Sequence, residues 1–354
     1  MDFAMRSPSW WSGHSVLTTT RKVFIACMLA LVPVLAQAQS PQHTRVYAAL
    51  DLGTLGGDIS QVVAIGPNGD MVGWSYNADE DPRGFLYSEG TMTELPTLGG
   101  SESQAYGVNT AGLVVGSAIT ADEHRVPTTW TSGVPAALNI PGTGSGYANA
   151  ANASGAIAGY ANDAAGDDQA WVVLNGGVTM LPGLGGAESS AWDIADNGAV
   201  VGSATTASGT EHAVLWANGT VTDLGTLGGS RAIALGLNES GQVVGESETG
   251  AGFRHAFLWQ NGVMIDLTPD AAYNTVATDI NESGDVCGYL EISDKESTAV
   301  VWVEGIMQQL PSLGGPRSQA WSIADNGDVA GQSRTGPDDV EASASHAVLW
   351  LRFG

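Results

Sequence analysis

Two acidic segments of the chain carry enough oxygen ligands to suggest a cation site. They are NADED at 77–81 and AGDD at 165–168. Calcium prefers carboxylate and carbonyl oxygens, and the candidate ligands are Asp79, Asp81, Asp167 and Asp168. Neither segment has the spacing of an EF-hand loop with its distal glutamate. We therefore expect that no cofactor is required, and calcium is the ion that the composition favours.

Charged and aromatic residues recur at the starts of equivalent segments, where they could bind an anionic or saccharide ligand or neutralise one another. If those segments meet around an axis, their side chains surround one channel mouth. The residues predicted at this mouth are Asp58, Glu102, Glu188, Arg231, Tyr273 and Arg317. Trp74 and Tyr76 are further candidates, because an aromatic ring can stack against a sugar.

Three histidines, His212, His255 and His346, stand in nearly identical phrases. If successive phrases are related by a rotation of about 51°, neighbouring histidines lie about 10 Å apart, whereas zinc ligands lie about 2 Å from the metal. We therefore predict that they pack or cap loops. The sequence contains no nucleophile elbow, zinc motif, phosphate loop or dinucleotide fingerprint.

A repeat of 43 residues organises these candidates. A glycine ends a phrase such as NGAVVG or SGQVVG in every unit, and the successive copies, all 43 residues apart, are Gly73, Gly116, Gly159, Gly202, Gly245, Gly288 and Gly331. A fixed period of this length is typical of architectures in which each unit packs on the next.

Each unit holds four short apolar runs separated by turn residues. In the fifth unit the runs are RAIALGLN, VVGES, HAFLW and VMIDL. The joins ESG and QNG favour tight hairpins, and the runs have the length and composition of strands. The 48 glycines count against a helical array. A unit of four strands matches a β-propeller blade, which spans about 40 to 45 residues.

The two ends of the chain indicate how such a ring would close. The segment after residue 38 opens with the fourth run of a unit, VYAALDLG, and the sequence ends on a third run, HAVLWLRFG. We therefore predict an all-β, seven-bladed β-propeller with four antiparallel strands per blade, closed by the N-terminal strand joining the last blade. The run after LGG is predicted to be innermost, because its small residues, such as Ser103 and Ala105, suit a crowded axis.

One position of the innermost run varies strongly between units. It is aromatic at Tyr106, Trp192 and Trp321, and the other copies are Val63, Asn149, Leu235 and Thr278. We predict that these rings face between blades and fill the wedge there.

Several phrases resemble the HAF repeat, which is found in predicted extracellular bacterial proteins. They are HAVLW at 212 and 346, HAFLW at 255, DLGTLGG at 51 and 223, and LNESGQVVG at 237. The resemblance covers nearly all of the chain after residue 38, but the third and sixth units depart from it with LNIPGTGSG and LTPDAAYN. The resemblance implies a repeat fold and an extracellular location, and it implies no particular chemistry.

Residues 1–38 are predicted to be a secretory signal peptide, since Arg21 and Lys22 precede the apolar run at 23–36 and the small-residue site AQA at 36–38. Residues 39–354 would then form a single propeller domain of seven repeats, exported to the periplasm or beyond the cell. An uncleaved anchor is the alternative, but the run is shorter than the roughly 18 to 20 residues that a spanning helix needs, so no integral membrane segment is expected in the mature chain. The formal net charge of −25 makes nucleic acid an unfavourable partner.

Three functions follow as hypotheses. The leading one is a secreted, monomeric binding module that takes carbohydrate or a surface protein on its long-loop face and channel mouth, and is not an enzyme. The alternatives are a hydrolase or lyase acting on polysaccharide or peptide, and a structural surface or matrix protein. Carboxylates about 5 to 9 Å apart in the channel would favour a glycosidase. A mouth lined by Trp and Tyr without paired acids would favour binding, and a self-neutralised opening would favour a structural role.

Overall fold

The computed structural model describes residues 45–142, 145–293, 295–336 and 344–353, and every regular element in these ranges is a strand. The predicted all-β class is therefore confirmed. The predicted signal peptide at 1–38 lies outside the described residues. The described part of the chain also contains no helix with the length and apolar character needed to cross a bilayer.

The strands follow one another in groups of four, apart from the first strand of the chain and the last three. In chain order they are β1 (Val46–Gly53); β2 (Gly56–Ile65), β3 (Met71–Asn77), β4 (Pro82–Ser88) and β5 (Thr91–Leu95); β6 (Gly99–Val108), β7 (Val114–Thr120), β8 (Arg125–Thr131) and β9 (Val134–Ala137); β10 (Gly146–Ala151), β11 (Ile157–Asn162), β12 (Asp168–Leu174) and β13 (Gly177–Met180); β14 (Gly185–Ile194), β15 (Val200–Thr206), β16 (Glu211–Ala217) and β17 (Thr220–Gly225); β18 (Gly228–Leu237), β19 (Val243–Thr249), β20 (Arg254–Gln260) and β21 (Val263–Asp266); β22 (Asn274–Ile280), β23 (Val286–Ser293), β24 (Glu296–Val303) and β25 (Ile306–Gln309); β26 (Ser318–Ile323), β27 (Val329–Arg334) and β28 (Ser345–Phe353).

Each group pairs in order as an antiparallel sheet, as predicted for a blade. The last three strands gain a fourth partner from the other end of the chain, because β1 pairs antiparallel with β28 and places Leu50 opposite Leu349. Two single-residue parallel bridges, Glu211 to Arg231 and Ser345 to Ile59, join neighbouring groups, so the hydrogen bonds define five sheets of four or eight strands.

The repeated glycine has a steric cause. A bulge interrupts the pairing of the first strand with the second in every group, for example between Ala191 and Asp193. Beside the bulge the two backbones approach so closely that a Cβ on Gly202 would lie 1.9 Å from the Ser190 carbonyl oxygen. The six equivalent glycines would make contacts of 1.9 or 2.0 Å. Only glycine fits this position, which explains why a glycine recurs there in every repeat.

The hydrophobic core lies between neighbouring groups. One cluster joins Val62 and Phe85 of the first group to Ala330 and Ala347 of the last. Hydroxyl groups on the first strands also connect neighbouring groups. Gly84 N–H of the first group donates to Ser103 Oγ of the second (3.0 Å), and Ala347 N–H of the last group donates to Ser60 Oγ of the first (2.7 Å). The first strand of each group therefore packs against the group before it.

The three repeated histidines each contact an aspartate of the adjacent fourth strand. The distances from Nδ1 to the nearest carboxylate oxygen are 2.9 Å for His212 and Asp223, and 2.8 Å for both His255 with Asp266 and His346 with Asp51. The predicted packing role is confirmed. The third pair links β28 to β1, and so connects the two ends of the chain.

Candidate functional site

The first strands have two ends with different surroundings. Their starts lie beside the loops that connect second and third strands, and we call this side the crossing-loop end; Arg231 and Glu211 lie there. Their last residues lead into the tight turns before the second strands, such as Asn238 to Gln242, and we call this side the hairpin end.

Several arginines of the crossing-loop end are paired with carboxylates. Arg231 contacts Glu211 (2.6 Å) and Glu246 (3.0 Å), and Arg254 contacts Glu246 and Glu291 (both 2.6 Å). Two residues predicted at the channel mouth are thus in ion pairs, because Glu102 likewise pairs with Arg125.

Tyr273 and Arg317 line a cavity of about 370 Å³ at the crossing-loop end, together with Phe253 and Glu291. Arg317 Nε donates to the Lys295 carbonyl (2.8 Å). The structure therefore brings together two of the six residues predicted around one mouth. The other four, which line neither this cavity nor the one described below, are Asp58, Glu102, Glu188 and Arg231.

Trp74 and Tyr76 lie side by side on β3. Their ring centroids are 6.0 Å apart in an edge-to-face arrangement, and both residues are half-buried. They form a small aromatic pair with one partly exposed side.

The predicted calcium ligands lie in two loops of different groups. In the first loop Asn77 Oδ1 caps the backbone of Asp79 and Asp81 (both 3.0 Å), and Asp81 pairs with Arg83 (2.8 Å).

In the second loop Asp167 N–H donates to Asp163 Oδ1 (3.1 Å), and Asn162 Nδ2 donates to Asp168 Oδ1 (2.6 Å). Burial raises the pKa of Asp168. Within the described ranges no three His, Cys, Asp or Glu side chains converge as metal ligands. Calcium binding stays a prediction.

The largest cavity described here, about 890 Å³, opens at the hairpin end and is lined by the first strands of all seven groups. The bulged residue of each first strand lines it; these are Val63, Tyr106, Asn149, Trp192, Leu235, Thr278 and Trp321. Two of these rings do pack between groups as predicted, because Trp192 contacts Tyr160 and Trp321 contacts Tyr289 of the preceding group. The prediction did not include the cavity, which the same residues line because a bulge adds one residue to the strand.

Aromatic rings form part of the cavity wall. Tyr160 packs behind Trp192 (5.6 Å between centroids), and Tyr289 packs behind Trp321 (5.7 Å). The indole Nε1 atoms of both tryptophans are buried and have no hydrogen-bond partner among the described residues. Burial raises the pKa of Tyr106 to about 12, so this phenol stays neutral at physiological pH.

Two aspartates follow directly after bulged residues and also line the cavity. Asp193 accepts hydrogen bonds from the backbone N–H groups of Ile194 (2.8 Å) and Leu237 (3.0 Å). Burial raises the pKa of Asp193 to about 6.

Asp279 accepts hydrogen bonds from Ser322 Oγ and Ile323 N–H (both 2.9 Å), and from Ile280 N–H (2.7 Å). Burial, and secondly the charge of Asp193, raise its pKa to about 7. The two carboxyl groups thus connect neighbouring first strands, and the cavity lining includes no Lys, Arg or His side chain that would favour their ionised forms.

Four further carboxylates form a rim on one side of this cavity. They are Asp196, Glu239, Glu282 and Asp325, which occupy the same frame position in consecutive repeats. Each accepts a hydrogen bond from the backbone N–H of the residue one repeat earlier, as in Glu239 to Glu282 (2.9 Å) and Glu282 to Asp325 (3.1 Å). The equivalent residues on the other side are Pro67, Thr110 and Ala153.

Sequence reasoning missed this acidic rim. It placed ligand binding at the starts of the first strands and interpreted the repeated NG and SG turns as structural. The available signal was a column of the 43-residue frame in which four consecutive repeats carry an acid and the other three do not.

No family model and no curated protein matches the chain. Among solved structures, it is similar to the β-propeller domain of the trilobed protease from Pyrococcus furiosus, with a TM-score of 0.54 and 8% identity over 80% of this chain and 90% of that one. It is also similar to the acylaminoacyl peptidase of Pyrococcus horikoshii (TM-score 0.52, 11% identity, 85% of this chain), of which it spans 52%. These likenesses show that the chain has a β-propeller fold.

Proposed function

We propose that the chain is a secreted, closed seven-bladed propeller of the HAF-repeat type that binds carbohydrate in its hairpin-end cavity. Ring closure is supported by the pairing of β1 with β28 and by the hydrogen bond from Ala347 to Ser60. The resemblance to extracellular repeat proteins and the leader-like residues 1–38 support secretion.

The observation that carries the proposal is the composition of the cavity wall. About 890 Å³ is the size of a small-molecule site, and such sites combine apolar surface with a few polar groups. Trp192 and Trp321 line the cavity, where an indole ring can contact the C–H side of a sugar, and the nearby carboxylates can accept bonds from its hydroxyl groups. The crossing-loop end offers less, because Arg125, Arg231 and Arg254 are already paired with carboxylates.

A hydrolase is supported less well than a binding protein. Glycoside hydrolysis uses one carboxyl group as an acid and another as a nucleophile or base. Asp193 and Asp279 have the raised pKa values expected of an acid, but both oxygens of each already accept hydrogen bonds, one from the next residue of the same strand and one from the neighbouring first strand. We therefore assign them to the framework of the binding site.

Ligand-dependent melting of the purified protein tests the proposal. A panel of oligosaccharides is screened, and a ligand at about 100 times its Kd should stabilise the protein by roughly 2.7 kcal/mol. Trp192→Leu should abolish the stabilisation, whereas the matched variant Trp74→Leu at the crossing-loop end should retain it. Loss in Trp74→Leu alone would place the site at the other end, and the absence of any shift would contradict carbohydrate binding.

Secretion has a separate test. The full-length chain is expressed in a bacterial host, and the intact mass of the exported protein is measured. We expect a mass that corresponds to cleavage after Ala38. A full-length product that remains with the membrane fraction would support the uncleaved anchor instead.

A further inference from the structure

The charges that line the hairpin-end cavity all have one sign. Six carboxylates line it, two within it and four on its rim, and the described lining residues include no Lys, Arg or His. The nearby Arg352 donates to the Asn326 carbonyl (3.3 Å), but its side chain does not line the cavity. This lining is the reverse of the crossing-loop end, where arginines accompany the acids.

The acids are also confined to one half of the cavity. All six belong to the fourth to seventh repeats, whereas the first three repeats contribute neutral residues such as Thr110, Asn149 and Ala153. The tryptophans at 192 and 321 lie in the fourth and seventh repeats, so both indoles belong to the acidic half, whereas Tyr106 lies in the neutral half. A ligand seated there meets ring faces and negative charge together.

Uncompensated carboxylates in a partly enclosed site favour a cationic ligand. The attraction between opposite charges is several times stronger at an effective dielectric constant of about 20 than in bulk water. Cations are also attracted to indole faces, most strongly when they are desolvated. Burial is the main cause of the raised pKa values of Asp193 and Asp279, and a neighbouring carboxylate adds to each; a bound cation would favour the ionised form of both groups.

We propose that the ligand of this cavity is a saccharide that carries protonated amino groups, and that the acidic half selects it over the neutral N-acetylated form. This inference rests on the proposed carbohydrate function and specifies its ligand class. The amino groups would lie against the rim of Asp196, Glu239, Glu282 and Asp325, and the sugar rings against Trp192 and Trp321.

Two matched ligands and two matched double variants test the inference. The ligands are the glucosamine tetramer and the N-acetylglucosamine tetramer, and Kd is measured by calorimetry at pH 6. The rim variant is Glu239→Gln with Glu282→Gln, because glutamine keeps an oxygen acceptor for the preceding N–H group. The control is Asp58→Asn with Glu188→Gln, which removes the same charge from exposed residues at the crossing-loop end.

We expect the protein to bind the glucosamine tetramer at least about tenfold more tightly than its N-acetylated form, a difference of about 1.4 kcal/mol. The rim variant should lose about tenfold in affinity for the amino form, and added salt should weaken binding further in the unmodified protein. The control variant should bind both ligands as the unmodified protein does.

The charge inference would be overturned if both tetramers bound equally well and the rim variant had no effect. The carbohydrate function would remain intact if Trp192→Leu then abolished the binding of both tetramers. Binding of neither tetramer, together with no hit in the wider panel, would overturn both. A linear tetraamine that binds as tightly as the glucosamine tetramer would overturn the assignment to a saccharide.

Discussion

The two ends of the first strands differ in whether their acidic side chains are paired with basic ones. At the crossing-loop end Arg231 and Arg254 share Glu246, so the net charge of this cluster is small. At the hairpin end Asp193 and Asp279 face a cavity whose described lining contains no basic residue. The same seven strands thus end in a neutralised network on one side and an unneutralised acidic cavity on the other.

This difference separates structural charge from charge available to a ligand. Arginines and carboxylates in the ion pairs of the crossing-loop end compensate one another, and a charged ligand would have to break these pairs in order to bind there. Carboxylates that line the hairpin-end cavity accept bonds from backbone N–H groups and have no basic residue beside them in the lining, so their field extends into the cavity. The hairpin end is therefore the better candidate for binding, although the sequence had pointed to the crossing-loop end.

The largest effect is expected from the glycine that permits the bulge. Gly202→Ala would place a methyl group 1.9 Å from the Ser190 carbonyl oxygen, so the bulge that positions Trp192 and Asp193 must shift. We expect the free energy of unfolding to fall by about 3 kcal/mol, as for severe overpacking. Urea denaturation measures this loss.

The matched change at the crossing-loop end is Gly209→Ala. A Cβ on Gly209 meets nothing within 4 Å, but its φ of 84° is strained for alanine. The expected cost is about 1 kcal/mol. Equal losses in the two variants would show that the close approach beside the bulge is not what requires glycine.

The second prediction concerns the neutralised network. The Glu246 side chain is 10% exposed and lies between Arg231 and Arg254, and Glu246→Gln removes its charge. Breaking a buried pair costs about 3 to 5 kcal/mol, and since both arginines are partly exposed we expect a loss of about 2 kcal/mol at pH 7. Denaturant unfolding provides the value.

Glu188→Gln is the control at the same end, because Glu188 is exposed. It should change the free energy of unfolding by less than about 0.5 kcal/mol. A loss as large as that of Glu246→Gln would mean that the ion pairs are not the stabilising feature.

The repeat made the fold predictable from the sequence. Gly202 and its six equivalents, the NG and SG turns, and the small first-strand residues all specify four strands per unit, and local and global signals agree. The pairing of β1 with β28 was foreseeable for the same reason, since the two ends together supply the runs of one unit.

The cavity was less predictable because a single bulge decides it. In a regular strand Trp192 would alternate with its neighbours, and the sequence alone gives no sign that the ladder gains an extra residue there. Charge pairing was equally hidden: Glu246 and Arg254 belong to different strands, and their contact depends on the register.

The third prediction uses the raised pKa of Asp279. The folded state retains its proton up to about pH 7, whereas the unfolded chain releases it near the ordinary value of 3.8, so the free energy of unfolding should fall as pH rises from about 4 to 7. The slope from one such group is at most about 1.4 kcal/mol per pH unit. Asp279→Asn should remove this contribution.

Urea unfolding of both proteins from pH 4 to 8 tests this sign. Relative to the unmodified protein, the stability of Asp279→Asn should increase as the pH rises through 7. In the reciprocal variant Asp193→Asn, carboxyl NMR should show a lower pKa for Asp279, because the charge of Asp193 no longer opposes its ionisation. A difference that decreases with pH would mean that the cavity carboxylates are compensated after all.

The smallest effect is expected from the histidine pairs of the crossing-loop end. His212→Ala and His346→Ala each remove a partly exposed contact with an aspartate, and we expect each to lower the free energy of unfolding by about 0.5 kcal/mol at pH 7. Because the local geometry is the same, the two losses should be equal, although one pair lies within a group and the other joins β28 to β1. Thermal unfolding of the two variants in parallel compares them. If His346→Ala costs several times more, the pairing of β28 with β1 depends on this one contact.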